Sequence, residues 1–443
     1  MKASQTIQLL RRYESRNVMF FERDGSWPIV WERAQGVHVW DAAHKKYLDL
    51  TAAFGVAAAG HANPAVVRAG QKQMAKLLHA MGDVHPHALK ARLARELSKI
   101  TFERWARAKA KGKGQKAKTI FGSSGFEAVE SALKTAVMAT GRRGIIAFEG
   151  AYHGLGYGAL NATHREHFRR PFRSQLREFG HFLPFPVAAN VNSRTPADFR
   201  RFTSAATKIF RREKIGAILV EPVQARGGCN IPPPWFLPLL RKLCDQHGAL
   251  LILDEIYTGF GRTGKWFACE HSGVEPDLIC LGKALTGGFP LSACVGRADV
   301  MDAAWPASTG EAIHTSTFLG HPVGCAMALA QIAEIKRLKL CERGARLGKT
   351  LLGELSKVQS PKSKVVCSAR GVGLMAGLEL RRSDGSPAVA EAMRAIKAML
   401  RRGFILLPEG EHGNIISLTP PLTISEAQLK QAVKTLAEVL ATD

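Results

Sequence analysis

Five short, continuously apolar runs constrain this chain more than any other feature: KTIFG, GIIAFEG, IGAILVEP, ALLILDE and LICLG. Each is too short for a buried helix, and none alternates polar with apolar side chains, so a strand built from it must be covered on both faces. Helix-like stretches lie between most of them, and the pattern predicts an α/β middle region with a largely parallel sheet. Earlier, VWERAQGVHVWDAAHKKYLDL holds alternating runs around Gln35-Gly36 and His44-Lys45, which predict a hairpin or meander. From about Asn63 to Ile100 apolar residues recur at spacings of three and four, with Pro64 near the start, so this stretch is read as helical. Beyond about Glu334 the chain reads as a long helix, VVCSARGVGLMAGLEL, a helix, GFILLPEG, NIISLTP and a last helix, an α+β cap. The resulting division is an N-terminal segment 1–62, a large domain 63–335 and a C-terminal small domain 336–443.

Composition removes several function classes. With 46% hydrophobic and 22% charged residues the chain is neither disordered nor fibrous. The opening MKASQTIQLLRRYESRN has no apolar stretch of signal length, so secretion is not expected and the cytoplasm is. Ala312 to Ala333 is uncharged and long enough to span a bilayer. It carries His314, Thr315, Ser316, Thr317, His321, Pro322 and Gln331, and is read as buried protein interior. Eight cysteines without a CxxC pair read as core thiols in a reducing compartment, with no metal site. The 62 Lys and Arg against 37 Asp and Glu leave a formal charge of +25. Its densest cluster, Arg104 to Lys118, suits a solvated loop between a helix and a strand. The alternative is a site for acidic polymers, although no aromatics interleave there for stacking.

In open parallel sheets ligands sit at the carboxyl ends of the strands. Phe121 is followed by Gly-Ser-Ser-Gly-Phe-Glu, a turn opening a helix, whose N–H groups and hydroxyls suit a phosphate; an ordinary helix cap fits equally well. Phe148 leads into a tight loop bearing Tyr152 and His153, a pairing found in packing as well as in catalysis. Asp254 ends ALLILDE one residue before its last, and Lys283 follows LICLG, 29 residues later. Such a pair is either a buried ion pair or a Schiff-base lysine beside the carboxylate that keeps a pyridine nitrogen protonated.

Six blocks taken together settle the resemblance: LTAAFGVAAAGHANP, FGSSGFEAVESALK, FEGAYHG, LVEPVQARGG, LILDEIYTGFGRTGKWFACEHSGVEPDLICLGKALTGGFPLSA and HTSTFLGHPVGCAMALA. In order and spacing, from about Trp31 to Ile424, the chain resembles the class III (omega-type) pyridoxal-phosphate aminotransferases. The resemblance implies fold type I: a mostly parallel seven-stranded sheet flanked by helices, and a small α+β domain formed by both termini. It also implies a homodimer with shared active sites. By motif position Lys283 carries the cofactor as an aldimine and shuttles protons, and Asp254 holds the pyridinium proton. Tyr152 stacks on one ring face, Ile256 packs on the other, and His153 lies nearby. Ser124, Gly125 and Phe126 offer donors to the phosphate, and Thr317 reaches the phosphate of the neighbouring subunit. Glu221 and Glu255 are assigned structural roles. The implied reaction is a ping-pong transfer of an amino group from an amine or amino acid to a keto acid or aldehyde.

Three departures bear on the substrate. Tyr257 stands where members commonly have Gln, near the cofactor's phenolic oxygen, and a phenol there can donate a hydrogen bond. Arg226 stands where many have Glu, and Ser417 where many have the Arg that binds an α-carboxylate. Ser417 cannot form a bidentate fork, so the usual glutamate/2-oxoglutarate pair is not expected. Arg226 is then expected either to recognise a carboxylate from the opposite wall or to orient a larger polar substrate, the plain alternative being a surface or dimer contact. Donors without an α-amino acid head, with pyruvate as acceptor, follow from this. Met19, Phe20 and Phe21 are candidate pocket-lining residues. Racemases and aminomutases share the same lysine, aspartate and phosphate site and stand as the alternative, with polyanion binding through residues 104–118 more remote.

Overall fold

The computed structural model describes residues 2–22, 25–108, 116–187, 196–359 and 365–442. Near the N-terminus β1 (Trp31–Gln35), β2 (His38–Asp41) and β3 (Lys46–Asp49) form the expected antiparallel meander. The apolar runs become the centre of a seven-stranded sheet. Its strands are β4 (Ala117–Gly122), β5 (Gly144–Phe148), β6 (Gly180–Leu183), β7 (Ile215–Val220), β8 (Leu250–Asp254), β9 (Leu278–Leu281) and β10 (Ser292–Arg297). They lie in the order β4-β10-β9-β8-β7-β5-β6, and only β10 runs against its neighbours. Every residue of β5, β7 and β9 is buried, as unalternating strands between two helical layers must be. Neither β6 nor β10 was among the five runs, because GHFL is short and SACVGR mixes in Ser, Gly and Arg.

Toward the C-terminus β11 (Val365–Val372), β12 (Met375–Arg382), β13 (Phe404–Ile405), β14 (Leu407–Glu409) and β15 (Ile415–Leu418) follow. Four of these form a sheet ordered β11-β12-β15-β14. The fifth, β13, pairs in parallel with β3, matching Phe404 to Leu48 and Ile405 to Asp49, so one small sheet draws on both ends of the chain.

Helical expectations hold with breaks. The stretch 63–100 is two helices, Pro64–Lys76 and Ala88–Ile100, separated by a segment containing Gly82 and Pro86. Asn63 caps the first by accepting from the N–H groups of Ala65 and Val66. The long helix expected from Glu334 begins earlier, as Pro322–Arg337, and is broken before Leu340–Leu355 by Lys339 at φ 49°. The reading of residues 312–333 as wholly interior needs correction. Burial begins only near Gly320, whereas Ile313 and Phe318 are 71% and 56% exposed in the single chain. Among the described residues no helix is long and apolar enough to cross a membrane. All eight cysteines are free, seven of them buried. Residues 109–115 of the basic segment lie outside the described residues; at its flanks Arg104 pairs with Glu270 and Lys118 with Asp302.

After β3 the chain makes a left-handed turn, with Ala52, Ala53 and Phe54 at φ 48°, 47° and 61°. Three consecutive L-residues in this region carry strain, and a local anchor must hold them. That anchor is Asp49, fully buried, which accepts from the Thr51 N–H (2.8 Å), the Thr51 hydroxyl (2.6 Å), the Ala53 N–H (3.1 Å) and His61 Nε2 (2.7 Å). The turn ends on Gly55, where a Cβ would lie 3.2 Å from the Tyr257 ring. We expect Asp49→Asn, which turns one acceptor into a donor facing other donors, to cost about 3 kcal/mol of stability. A chemical-denaturation midpoint that does not move would remove Asp49 as the anchor.

Candidate active site

Asp254 is the last residue of β8, and Lys283 follows the end of β9 by two residues, so neighbouring strand ends bring both to one place. Lys283 adopts φ 40°, a strained setting for a residue with a Cβ. Its amine is buried, and burial lowers its pKa, opposed by the charges of Asp254 and Glu221. Nζ lies 4.8 Å from the centroid of the Tyr257 ring. Asp254 is held at both oxygens: His153 Nδ1 lies 2.7 Å from Oδ2 and donates to it, and the Ile256 N–H donates to Oδ1 at 3.1 Å. On the far side of the imidazole, Nε2 is buried and has no partner among the described residues.

The helix Gly125–Thr140 points its N-terminus at the same place. Glu127 folds back to accept from the N–H groups of Ser123 and Ser124, leaving the Ser124 hydroxyl buried without a partner among the described residues. Gly125 sits against Ile256, where a Cβ would come within 3.2 Å of two side-chain carbons. The loop carrying Tyr152 and His153 crosses this helix so closely that a Cβ on Gly154, at φ 110°, would be 2.4 Å from that of Phe126. Only glycine permits that approach.

Glu221 ties the loops together. It accepts from the Tyr152 N–H at 3.1 Å and the Ala225 N–H at 3.0 Å, and burial pushes its carboxyl up from 4.5 to about 7. Glu255 faces away, accepting from the Ala268 and Cys269 N–H groups and from Thr258. Arg226 lays its guanidinium 4.8 Å over the Tyr152 ring.

Nine residues singled out from the sequence line one cavity of about 390 Å³: Gly125, Phe126, Tyr152, His153, Arg226, Asp254, Ile256, Tyr257 and Lys283. Ser124 precedes Gly125 in the chain but is not among the lining residues. Three others lie elsewhere in the single chain. Thr317 is on the surface, Phe20 is 66% exposed, and Ser417 is buried behind the wall with its hydroxyl 3.9 Å from Cys229 Sγ. Tyr257 differs from expectation in what it presents. Its hydroxyl donates to Thr419 Oγ1 at 3.1 Å, which donates on to Thr51 O, so the cavity receives the ring and not the O–H. Leu155, Ala225 and Glu221 also line the cavity, and Glu409 stands 3.7 Å from Arg226. Sequence gave no reason to choose Glu409, since nothing in GFILLPEG sets it apart from a strand-end carboxylate.

This donor set fits pyridoxal phosphate. A buried hydroxyl without a partner among the described residues, at the N-terminus of a helix, suits the phosphate, a carboxylate fixed from two sides suits a protonated ring nitrogen, and a buried amine suits the carbonyl.

Comparison with known proteins agrees. The model of the class III aminotransferase family matches residues 20–440. The chain is 35% identical to a 2-aminoadipate transaminase of Pseudomonas putida, over 94% of this chain and 96% of that one. It is 36% identical to a putrescine aminotransferase of Pectobacterium atrosepticum, over 98% and 88%. A solved Bacillus anthracis aminotransferase superposes with a TM-score of 0.89 at 26% identity, covering all of both chains. The fold, the cavity and these relatives lead to one conclusion: the chain belongs to the class III aminotransferases and is a pyridoxal-phosphate-dependent enzyme of that family.

Proposed function

We propose that the enzyme moves an amino group from an amine lacking a carboxylate beside its nitrogen to an oxo acid, pyruvate being the first acceptor to try. The observation that carries this reading is the cavity's charge layout. Arg226 is the lining guanidinium, and it sits over Tyr152, while the position that would serve an α-carboxylate holds the buried Ser417. Pyridoxal phosphate, when bound, supplies a sink for the electron pair left as the C–H bond beside nitrogen breaks. Lys283 Nζ, whose pKa burial lowers, would take that proton from the donor's carbon and deliver one to the acceptor's carbon in the second half of the cycle. Asp254 holds a proton on the ring nitrogen, and His153 and the Ile256 N–H keep it aimed.

Ser124 Oγ and the N–H groups of Gly125 and Phe126 would hold the phosphate, and Tyr152 and Ile256 would pack against the ring. Tyr257 closes the lysine side with its ring. Arg226 meets the carboxylate of the oxo acid. Thr317 and Phe20, exposed in the single chain, serve the neighbouring subunit of a homodimer. Exposed Phe54, Leu78, Met81, Ile313 and Phe318 support such an interface. Eight unpaired thiols suit the cytoplasm.

The reading is tested by absorbance. Purified protein with pyridoxal phosphate should show a visible band that Lys283→Ala lacks, that some amine in a panel of simple amines and amino acids discharges, and that pyruvate restores. A band that no amine discharges would count against aminotransfer. Ser124→Ala should weaken cofactor affinity about 10-fold, the loss of one hydrogen bond to a charged group, in an equilibrium titration. Burial raises Glu221, Glu255 and Glu409 from 4.5 to about 7, so the folded protein holds more protons than the unfolded chain between those values. Stability of the cofactor-free protein should therefore fall as pH climbs from about 4.5 to about 7 and level off above. Glu221→Gln should flatten that slope in thermal melts across the pH series, and an unaltered profile would refute its share.

A further inference from the structure

A cavity of about 530 Å³, separate from the active site, lies at the opposite edge of the main sheet. The active-site residues follow the carboxyl ends of the strands, whereas this cavity is built where β5, β6 and β7 begin, at Gly144, Gly180 and Ile215. Sheet hydrogen bonds hold its base. The Gly144 N–H donates to Lys214 O and the Ile145 N–H to Phe179 O, both at 2.9 Å. Gly144 has no room for a side chain, since a Cβ would lie 2.8 Å from Ile215 Cδ1 and 2.9 Å from Lys214 O.

Four cations line it, Arg143, Arg177, Arg212 and Lys214, and among the described residues none of these side chains pairs with a carboxylate. Elsewhere the arginines of this protein find acids: Arg104 pairs with Glu270, Arg241 and Arg297 share Asp277, and Arg370 meets Glu379. The two carboxylates that line the cavity are directed to other partners. Glu178, at a left-handed φ of 46°, meets Arg173 at 3.0 Å and Arg169 at 3.7 Å, and Glu213 has His181 at 3.9 Å. Nor do the cations bind the backbone together. That role falls to Arg142, which donates to His247 O at 2.6 Å and leaves Arg143 to the cavity. The helices Gly125–Thr140 and Pro196–Arg212 both finish here, and each carboxyl end carries about half a negative charge, which together offsets about one of the four cations.

Unpaired guanidinium groups gathered around a concave space suit an anion whose charge is spread over several centres. Phe179 and His181, two residues apart at the start of β6, share one face of that strand and line the same cavity. We propose that this cavity is a binding site for a small polyphosphate, a phosphate chain with or without a nucleoside at its end. The three arginine forks and the Lys214 amine would engage the phosphate oxygens, and the two rings would take a nucleoside where one is present.

The test is calorimetric titration of the holoenzyme, whose own phosphate site is then filled, with inorganic tripolyphosphate, ATP and orthophosphate at about 0.15 M ionic strength and without divalent metal. Tripolyphosphate should bind saturably and at least about 10-fold tighter than orthophosphate. The double reversal Arg143→Glu/Arg212→Glu should weaken it about 10-fold or more. Lys349→Glu/Arg401→Glu, an equal change in net charge at exposed positions outside the cavity, should weaken it less than about twofold. The visible cofactor band should be unchanged in both. Should the cavity reversal fold poorly, the milder Arg177→Gln should still weaken tripolyphosphate about threefold or more. ATP binding at least about 10-fold tighter than tripolyphosphate would support a nucleoside on the rings, and equal affinities would support the phosphate chain alone. Equal losses in the cavity and control reversals, or tripolyphosphate held no better than orthophosphate, would overturn the site.

Discussion

A primary amine held out of water is the constraint on which the rest of the site depends. Lys283 is withdrawn from solvent at a positive φ, and an ammonium there would need a full set of partners that the cavity does not provide. The fold resolves this by placing the amine among groups that share a modest negative field, Asp254 and Glu221, while burial pulls its pKa down. Each of those groups is then tied down in turn, Asp254 by His153 and the Ile256 N–H, Glu221 by two backbone N–H groups from separate loops. Removing solvent from one nitrogen therefore dictates the geometry of three loops.

Much of this was legible in the sequence. Unalternating runs such as IGAILV and LLILD become buried parallel strands because a strand covered on both faces has no reason to alternate, and the order of the motif blocks brings Asp254 and Lys283 together at the ends of adjacent strands. Strand β10 was missed for the opposite reason, since its Ser, Gly and Arg carry a weak apolar signal that pairing with two neighbours overrides. The tight turn at Gly154 and the helix opened by Ser124 are local and follow from residue type. Glu409 was not legible, because its meaning arises only when β14 lies beside the Arg226 loop, more than 180 residues away in sequence. Tyr257 shows the same limit from another direction: position foretells that its ring is near Lys283, whereas the direction of its hydroxyl depends on Thr419 and Thr51, which come from opposite ends of the chain.

Glu221, on the cavity wall, and Glu409, 3.7 Å from the lining Arg226, differ in how their carboxylates are held. Glu221 is satisfied by backbone donors and so is fixed, a strut between the Tyr152 loop and the segment that carries Arg226. Glu409 has no such donors among the described residues, and Arg226 Nε stands 3.7 Å from it. Burial shifts both in the same direction, and the difference between them lies in hydrogen bonding.

The pairing of β13 with β3 has a consequence for how the protein is made. Asp49, whose carboxylate anchors the turn behind Tyr257, donates its N–H to Val37 O on one side and is paired on the other side with Ile405, 356 residues further on. During synthesis the first three strands leave the ribosome long before that second partner does, so the turn behind Tyr257 lacks half of its strand pairing until residues 404–405 have emerged. Every strand of the large sheet, the last ending at Arg297, emerges before that one does, so the sheet precedes part of the wall it needs for chemistry.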